Sequence, residues 1–458
     1  MAKQIKNETS SGSSSHATLI DGPVGRQLYT MALPIMFGLM ALMTFNVVDT
    51  WFVAQLGEIP LAALSFAFPA LMLMTSVAIG MGAGTASAVS QAMGRGDQQR
   101  VQRLTSDALM LALLISVLLT LIGYLSIEPV FGLMGASGEV LTEVTRFMQV
   151  WYLGAPMLIL SLTGMGALRA IGDSRFQGRN MVAAAVLNGL LDPLLIFGLA
   201  GFPRMEIQGA AMATVLARTI TLVIALFYMR LKARLLIMPS LKPGLLFAEW
   251  SIVLRVGLPA MLNNMIIPLS SAIVVSLVAQ YGNTAVAGLG VATRLEPLLM
   301  IAYFALSSVM GPFCGQNLGA ARPKRILKAI HVALVFCLGG GLLLALLMHL
   351  FADTLARLFS DNPEVVSVAA NYLHIVSLGF GASGLVMALN SSFNGMMKPL
   401  PALLLTVLRV IVVFLPLAFL GRYLWGLQGL FVATVISNAL VAIGGYFWIR
   451  QSVHQFRR

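Results

Sequence analysis

Long apolar segments alternate with short polar segments from residue 28 almost to the end of the chain. A helix needs about 20 residues to cross a bilayer, and apolar segments of that length recur throughout both halves of the sequence. The predicted spans are 28–56, 61–93, 105–126, 147–168, 180–200, 208–229, 251–280, 285–318, 329–351, 371–395, 400–420 and 428–449. This pattern predicts an all-α polytopic membrane protein with twelve transmembrane helices.

The two halves of the chain repeat each other at a spacing of 225 residues. Val53-Ala54-Gln55 recurs as Val278-Ala279-Gln280, and Gly94 recurs as Gly319. An even number of spans gives both halves the same orientation, so we expect two pseudo-symmetric six-helix lobes related by an axis along the membrane normal. This architecture is typical of transporters, which have a cavity where the lobes meet.

The repeat and the polar segments together predict the domain organisation. The polar, Ser-rich N-terminus lacks the apolar core of a secretory signal. The predicted segments are an N-terminal tail 1–27, an N-terminal lobe 28–231, a linker 232–250, a C-terminal lobe 251–450 and a C-terminal tail 451–458.

Composition and charge exclude several classes of protein. Of the 458 residues, 58% are hydrophobic and 10% charged, and the mean hydropathy of +0.89 is too high for a soluble domain. The net charge of +12 comes from Lys and Arg between the apolar segments, without interleaved aromatics, so no nucleic-acid partner is expected. Only Arg146, Arg204, Arg357 and Arg422 fall in the opposite loops, which predicts cytoplasmic termini.

Asp49 is the only charged residue between residues 27 and 57. A carboxylate at mid-membrane depth costs roughly 2.5 to 3.5 kcal/mol on insertion scales, so a partner, a proton or an ion must offset that cost. Asp49 is therefore a candidate functional residue. The alternative is that its helix ends near Gly57, which would place Asp49 at the level of the headgroups.

A second embedded carboxylate, Asp192, lies four residues after Asn188 and before Pro193. Residues four apart share a helix face, and the proline frees a backbone carbonyl one turn back. Carboxylate, amide and carbonyl oxygens suit a proton or a small hard cation. The alternative is a proline-kinked helix with an incidental asparagine.

The third embedded acid is Glu296, two residues from Arg294 and followed by Pro297. We expect a structural ion pair or, equally, a role in substrate binding or gating for these two residues. Arg218 and Arg409 also lie within spans, where packing or partner charges explain them as well as function does. No Ser/His/Asp set, metal-ligand pair or phosphate loop has usable spacing, so neither enzymatic activity nor a cofactor is expected.

Several motifs together resemble the multidrug and toxin extrusion (MATE) transporters, over nearly the whole chain. They are Val48-Asp49-Thr50, Gly172-Asp173-Ser174, Asn188 to Pro193, and Gly315-Gln316-Asn317-Leu318-Gly319-Ala320. The resemblance implies two six-helix lobes in a V around a central cleft, which export organic cations in exchange for protons or sodium ions.

The DinF-like branch of the family is similar in having its key acidic residues in the N-terminal lobe. The resemblance thus implies a coupling site formed by Asp49, Asn188, Asp192 and Thr214. The NorM-like branch has acids on the seventh and tenth spans, where this chain has Asn263-Asn264 and Asn390 instead. A cation site in the C-terminal lobe is therefore not expected.

Residues and resemblance together predict a monomeric antiporter of the bacterial inner membrane, with membrane lipid and organic cations as its partners. The predicted coupling ion is the proton, with Na⁺ at Asp49, Asn188 and Asp192 as the alternative. The alternative function is a flippase for a lipid-linked precursor, which would need a more cationic cleft than the few embedded arginines indicate.

Overall fold

The computed structural model describes residues 19–238 and 242–456, and these residues form helices joined by short turns. The helices of the first half are α1 (Val24–Ala54), α2 (Glu58–Gly94), α3 (Gln98–Leu125), α4 (Ile127–Leu133), α5 (Gly138–Ala170), α6 (Ser174–Phe197) and α7 (Ile207–Phe227). The helices of the second half are α8 (Pro243–Ala279), α9 (Asn283–Leu299), α10 (Ile301–Gly319), α11 (Pro323–Arg357), α12 (Pro363–Val376), α13 (Phe380–Gly395), α14 (Pro399–Val407) and α15 (Leu415–Gln455). Short π-helical segments follow α7 at Tyr228–Lys232 and α14 at Leu408–Phe414.

The described helices confirm the predicted membrane class and the two-lobe layout. Ten helical segments are long and apolar enough to cross a membrane, and α9 with α10 forms one further span bent by 49°. The last segment, Pro399–Gln455, is broken at Trp425 and Gly426, where the backbone leaves the helical region, and so it supplies two spans. The predicted twelve-helix layout fits this arrangement.

The internal repeat is visible in the positions at which the helices begin. The starts of α2, α3, α5 and α6 recur 225 residues later as the starts of α9, α11, α12 and α14. The bent pair α9 and α10 thus corresponds to the single helix α2. The break at Met300 follows Pro297, which removes one backbone donor near the end of α9, although α2 stays continuous around its own Pro69.

Two hydrophobic cores form, and the first helix of each half contributes to the core of the other half. One core contains residues from Val53 to Met261, and so includes the beginning of α8. The other contains residues from Leu277 to Val453 together with residues from Leu19 to Ile35, at the beginning of α1. Each lobe therefore includes half a helix that the sequence repeat assigns to the other lobe.

The lobes meet at a contact between α2 and α10 that we call the joint. A Cβ on Gly94 would lie 2.1 Å from the carbonyl oxygen of Gln316, and a Cβ on Gly319 would lie 2.3 Å from that of Gln91. The two contacts are related by the repeat, so the pseudo-twofold axis passes between them. The joint lies on the membrane side that carries Arg95 and most of the other basic loop residues, which we call the basic side.

Several element ends differ from the sequence prediction. Helix α1 begins at Val24, inside the predicted tail 1–27, and α8 begins at Pro243, inside the predicted linker. Helix α15 continues to Gln455 instead of ending at 450. Residues 1–18, 239–241 and 457–458 of these predicted segments lie outside the described residues.

The last part of the predicted tail is bound at the joint. The amide of Leu19 donates a 3.0 Å hydrogen bond to the side-chain oxygen of Gln316, whose amide nitrogen donates to the carbonyl of Ala170. Arg325 donates to the carbonyl of Gly22 at 2.8 Å, and Arg322 forms an ion pair with Asp21. Residues 19–22 are therefore a structural part of the joint, because polar side chains of α10 and α11 bind their backbone.

Candidate functional site

Asp49 on α1 and Asp192 on α6 face each other within the N-terminal lobe. Their carboxyl groups are close enough to interact directly with each other. Helices α1 and α6 approach closely because a Cβ on Gly178 would lie only 2.2 Å from the carbonyl oxygen of Pro34. Asp192 is completely buried, whereas Asp49 is partly exposed.

Asn188 and Thr214 complete the polar surroundings of the two carboxyl groups. Asn188 lies one turn before Asp192 on α6 and is 6% exposed. Its side-chain amide donates a 3.3 Å hydrogen bond to the hydroxyl of Thr214 on α7. The structure therefore brings together three helices, α1, α6 and α7, around one polar cluster, which we call the acidic cluster: Asp49, Asn188, Asp192 and Thr214.

The acidic cluster contains oxygen atoms that lack hydrogen-bond donors. Oδ1 of Asp49, Oδ1 of Asn188 and both carboxyl oxygens of Asp192 are buried, and no donor among the described residues reaches them. Two facing carboxylates cannot hydrogen-bond unless one of them carries a proton. The arrangement therefore suits a shared proton or a small cation, because either would satisfy these oxygens.

Arg218 on α7 supplies positive charge beside this cluster. Its guanidinium interacts electrostatically with Asp49, although no ion pair within 4.0 Å forms between them in the described part of the chain. With one shared proton the two carboxyl groups carry a single negative charge, and Arg218 balances it. The site is then neutral overall, which lowers the cost of burying it in a membrane.

The embedded acid of the C-terminal lobe has different partners from those predicted. Glu296 accepts a 2.8 Å hydrogen bond from the hydroxyl of Tyr372 and interacts electrostatically with Arg409. Arg294 is exposed, and its guanidinium forms no ion pair with Glu296 within the described residues. The two neighbours therefore do not pair with each other, because residues two apart point to different sides of α9, and a role of Glu296 and Arg294 in substrate binding or gating stays a prediction.

Two of these interaction partners, Arg218 and Arg409, could have been predicted from the sequence. Arg218 and Arg409 are basic residues within apolar segments, and each lies in the same lobe as an embedded acid, so charge balance could have paired them. Tyr372 carried no such signal, because a tyrosine in an apolar segment is ordinary. Among the described residues there is no group of three or more His, Cys, Asp or Glu side chains that could hold a metal ion.

Comparison with known proteins shows the family of this chain. The MatE family model matches residues 34–194 and 259–420, once in each half of the repeat. A FAD transporter of Shewanella oneidensis is 38% identical over 94% of this chain and 95% of that protein. The chain belongs to the MatE family of transporters, as the sequence motifs predicted.

Other relatives and solved structures agree with this assignment. A probable multidrug resistance protein of Bacillus subtilis, YoeA, is 26% identical over 86% of each chain. The crystal structure of the Vibrio cholerae MATE transporter VcmN in the bent form superposes with a TM-score of 0.90 at 29% identity, covering 97% of this chain and 99% of that one. The protein is thus a multi-pass membrane transporter with the MATE fold.

Proposed function

We propose that this protein is a proton-coupled exporter that works by alternating access between its two lobes. The observation that carries the proposal is the set of donorless oxygens on Asp49, Asn188 and Asp192, buried in one lobe. Such groups are costly in a membrane unless an exchangeable proton or ion satisfies them. A site that requires a proton can couple proton movement to the conformation of its lobe.

The proton is the better candidate for the coupling ion. The oxygens of the acidic cluster could also coordinate Na⁺, as the sequence alternative proposes. Arg218 already balances the single negative charge of a pair that shares one proton. A sodium ion in place of that proton would have to displace it and lose its hydration shell beside a fixed positive charge.

The proposed conformational change opens the joint. Close packing of α2 against α10 joins the lobes on the basic side, and we infer from this contact that the cleft between the lobes opens to the opposite side in this conformation. The positive-inside rule puts the basic side and both termini in the cytoplasm. The cycle then exposes the cleft alternately to the cytoplasm and to the exterior of a bacterial inner membrane, with the monomer as the working unit.

The first candidate substrates are organic cations and amphipathic toxins. Negatively charged side chains in the N-terminal lobe favour cations, and several relatives at 22 to 26% identity are named as multidrug proteins. In this case the substrate and the protons compete for the same carboxylates.

The second candidate substrate is FAD. It is favoured by the 38% identity with a FAD transporter over almost the full length of both chains. A negatively charged dinucleotide would not compete with protons for Asp49 and Asp192. Coupling would then act through the conformation of the N-terminal lobe.

The deciding experiment uses purified protein in proteoliposomes with fluorescent cationic dyes and with FAD. We expect export driven by an imposed pH gradient in sodium-free buffer, with release of protons to the compartment from which the substrate leaves. Transport driven only by a sodium gradient would show that Na⁺ is the coupling ion. The absence of transport under either gradient, in protein that is folded, would contradict the proposed function.

A further inference from the structure

A cavity of about 440 Å³ opens on the basic side, next to the joint. Both lobes contribute to its walls. Arg95 follows the end of α2, Arg255 lies on α8, and Lys398 precedes α14. The cavity therefore lies where the lobes must separate if the basic side is to open.

The cavity combines positive charge with apolar surface. None of its lining side chains is acidic, and Arg95, Arg255 and Lys398 form no ion pair with any described residue. Lys398 lies 4.5 Å above the ring of Phe456, and Met397 forms part of the same wall. Three cations without acidic partners create a positive potential in a concave site and attract anions.

The repeat shows that Lys398 is not required by the turn in which it lies. At the corresponding turn of the N-terminal lobe, Asp173 caps α6 by accepting a hydrogen bond from the amide of Phe176. In the C-terminal lobe the residue that corresponds to Phe176 is Pro401, which has no amide hydrogen to donate to a cap. Lys398 is therefore not needed as a cap, and its ammonium group lies at the wall of the cavity, where it donates a 3.5 Å hydrogen bond to the side-chain oxygen of Gln455.

Met397 has an unfavourable backbone conformation at the same turn. Its φ angle is 58°, a left-handed value that costs energy for a residue with a side chain. The corresponding residue of the N-terminal lobe is Gly172, which adopts a φ of 93° without that cost. Methionine at this position adds an apolar side chain to the cavity that glycine would not provide.

We propose that this cavity binds an organic phosphate that carries an apolar or aromatic group. Arg95, Arg255 and Lys398 bind the phosphate, because guanidinium and ammonium groups form charge-assisted hydrogen bonds with its oxygens. Met397 and Phe456 contact the apolar part. The proposal rests on the proposed export function and develops its second candidate substrate: the cavity is the loading site on the basic side for an anionic substrate that, like FAD, carries phosphate.

A fluorescence titration tests the chemistry of the site in purified protein held in phosphatidylcholine nanodiscs. The probe is TNP-ATP, and its phosphate-free counterpart TNP-adenosine is the control. We expect TNP-ATP to bind at least about tenfold more tightly than TNP-adenosine, because the loss of one strong charged contact corresponds to about a tenfold change in affinity. Lys398→Gln should weaken TNP-ATP binding by a similar factor, and Lys398→Arg should restore it.

Lys324 provides a matched control variant, because it is an exposed cation on the same side that does not line the cavity. Lys324→Gln should leave TNP-ATP binding within about twofold of the wild type, since surface charges contribute little. Equal affinity for the two probes, or equal effects of Lys324→Gln and Lys398→Gln, would overturn the proposal. Size-exclusion profiles of all variants establish that they are folded.

The phosphate has two candidate sources, a phospholipid headgroup and a soluble organic phosphate, and the addition of phosphatidylglycerol distinguishes them. If its addition to the nanodiscs displaces TNP-ATP from the wild type, the natural ligand is a phospholipid headgroup. If TNP-ATP binding persists, the ligand is a soluble organic phosphate. The titration needs no ion gradient, so phosphate binding without proton-driven export would contradict only the proposed function. Proton-driven export without selective TNP-ATP binding would contradict only the loading site.

Discussion

Asp192 is completely buried, and Asp49, the acidic side chain that it faces, is partly exposed. A proton can therefore reach Asp49 more readily than it can reach Asp192. This asymmetry indicates an order of events in which Asp49 exchanges protons with water and Asp192 exchanges them with Asp49. The pair behaves as one titrating unit with one accessible member.

The first prediction is that Asp49→Asn abolishes export driven by a pH gradient while the protein still inserts and folds. Asparagine retains the shape of the side chain but cannot exchange a proton. The measurement is dye or FAD efflux in everted vesicles. Asp97→Asn is the matched control, because Asp97 caps α3 outside the cluster and asparagine caps equally well. Normal efflux by folded Asp49→Asn would contradict the assignment.

The second prediction is that export of a monovalent cationic dye responds to membrane potential when the pH gradient is zero. Two carboxyl groups can exchange two protons per cycle, so one net charge moves, and roughly 2.3 kcal/mol per 100 mV becomes available. Asp192→Asn should lose this response before it loses dye binding. Reconstituted vesicles under a potassium and valinomycin clamp provide the measurement. If export by the wild type does not change with the membrane potential, one proton is exchanged for each dye molecule.

The third prediction is that Tyr372→Phe lowers the free energy of unfolding by about 1.5 to 3 kcal/mol, the range for hydrogen bonds to charged groups. The variant leaves Glu296 without its 2.8 Å donor. Proton coupling should persist in the folded fraction, because the acidic cluster lies in the other lobe. Thermal unfolding in detergent together with transport per folded molecule separates the two effects. Loss of coupling at normal stability would instead indicate a gating role for Glu296.

The fourth prediction is that Gly94→Ala prevents the lobes from closing on the basic side. A methyl group there would lie 2.1 Å from the carbonyl oxygen of Gln316, a backbone atom that cannot move independently. Fluorescence energy transfer between labels on the basic ends of the two lobes should show a longer distance. Gly339→Ala is the control, since nothing lies within 4 Å of a Cβ at that position in α11. The same distance in both variants would show that the joint tolerates the methyl group.

The sequence by itself determined the membrane class, the twelve spans, the twofold repeat and the embedded charges. These features depend on local composition and on spacing along the chain, so they need no knowledge of how the helices are rotated. Asp49, Asp192 and Glu296 could be found in the same way, because a charge within an apolar segment is conspicuous wherever its helix points.

Only the tertiary structure decided which of these residues meet. In the folded protein Asp49 lies next to Asp192, and Arg218 lies near both. Glu296 interacts with Tyr372 and Arg409 and not with Arg294. The beginning of each of the helices α1 and α8 packs in the core of the opposite lobe. The physical reason is the solvent. Lipid tails are as apolar as a protein core, so the positions of apolar residues in the sequence do not show which face of a membrane helix packs against a neighbouring helix. Helix rotation and crossing are set by close contacts such as that of Gly178 with Pro34, and those contacts exist only after the helices assemble.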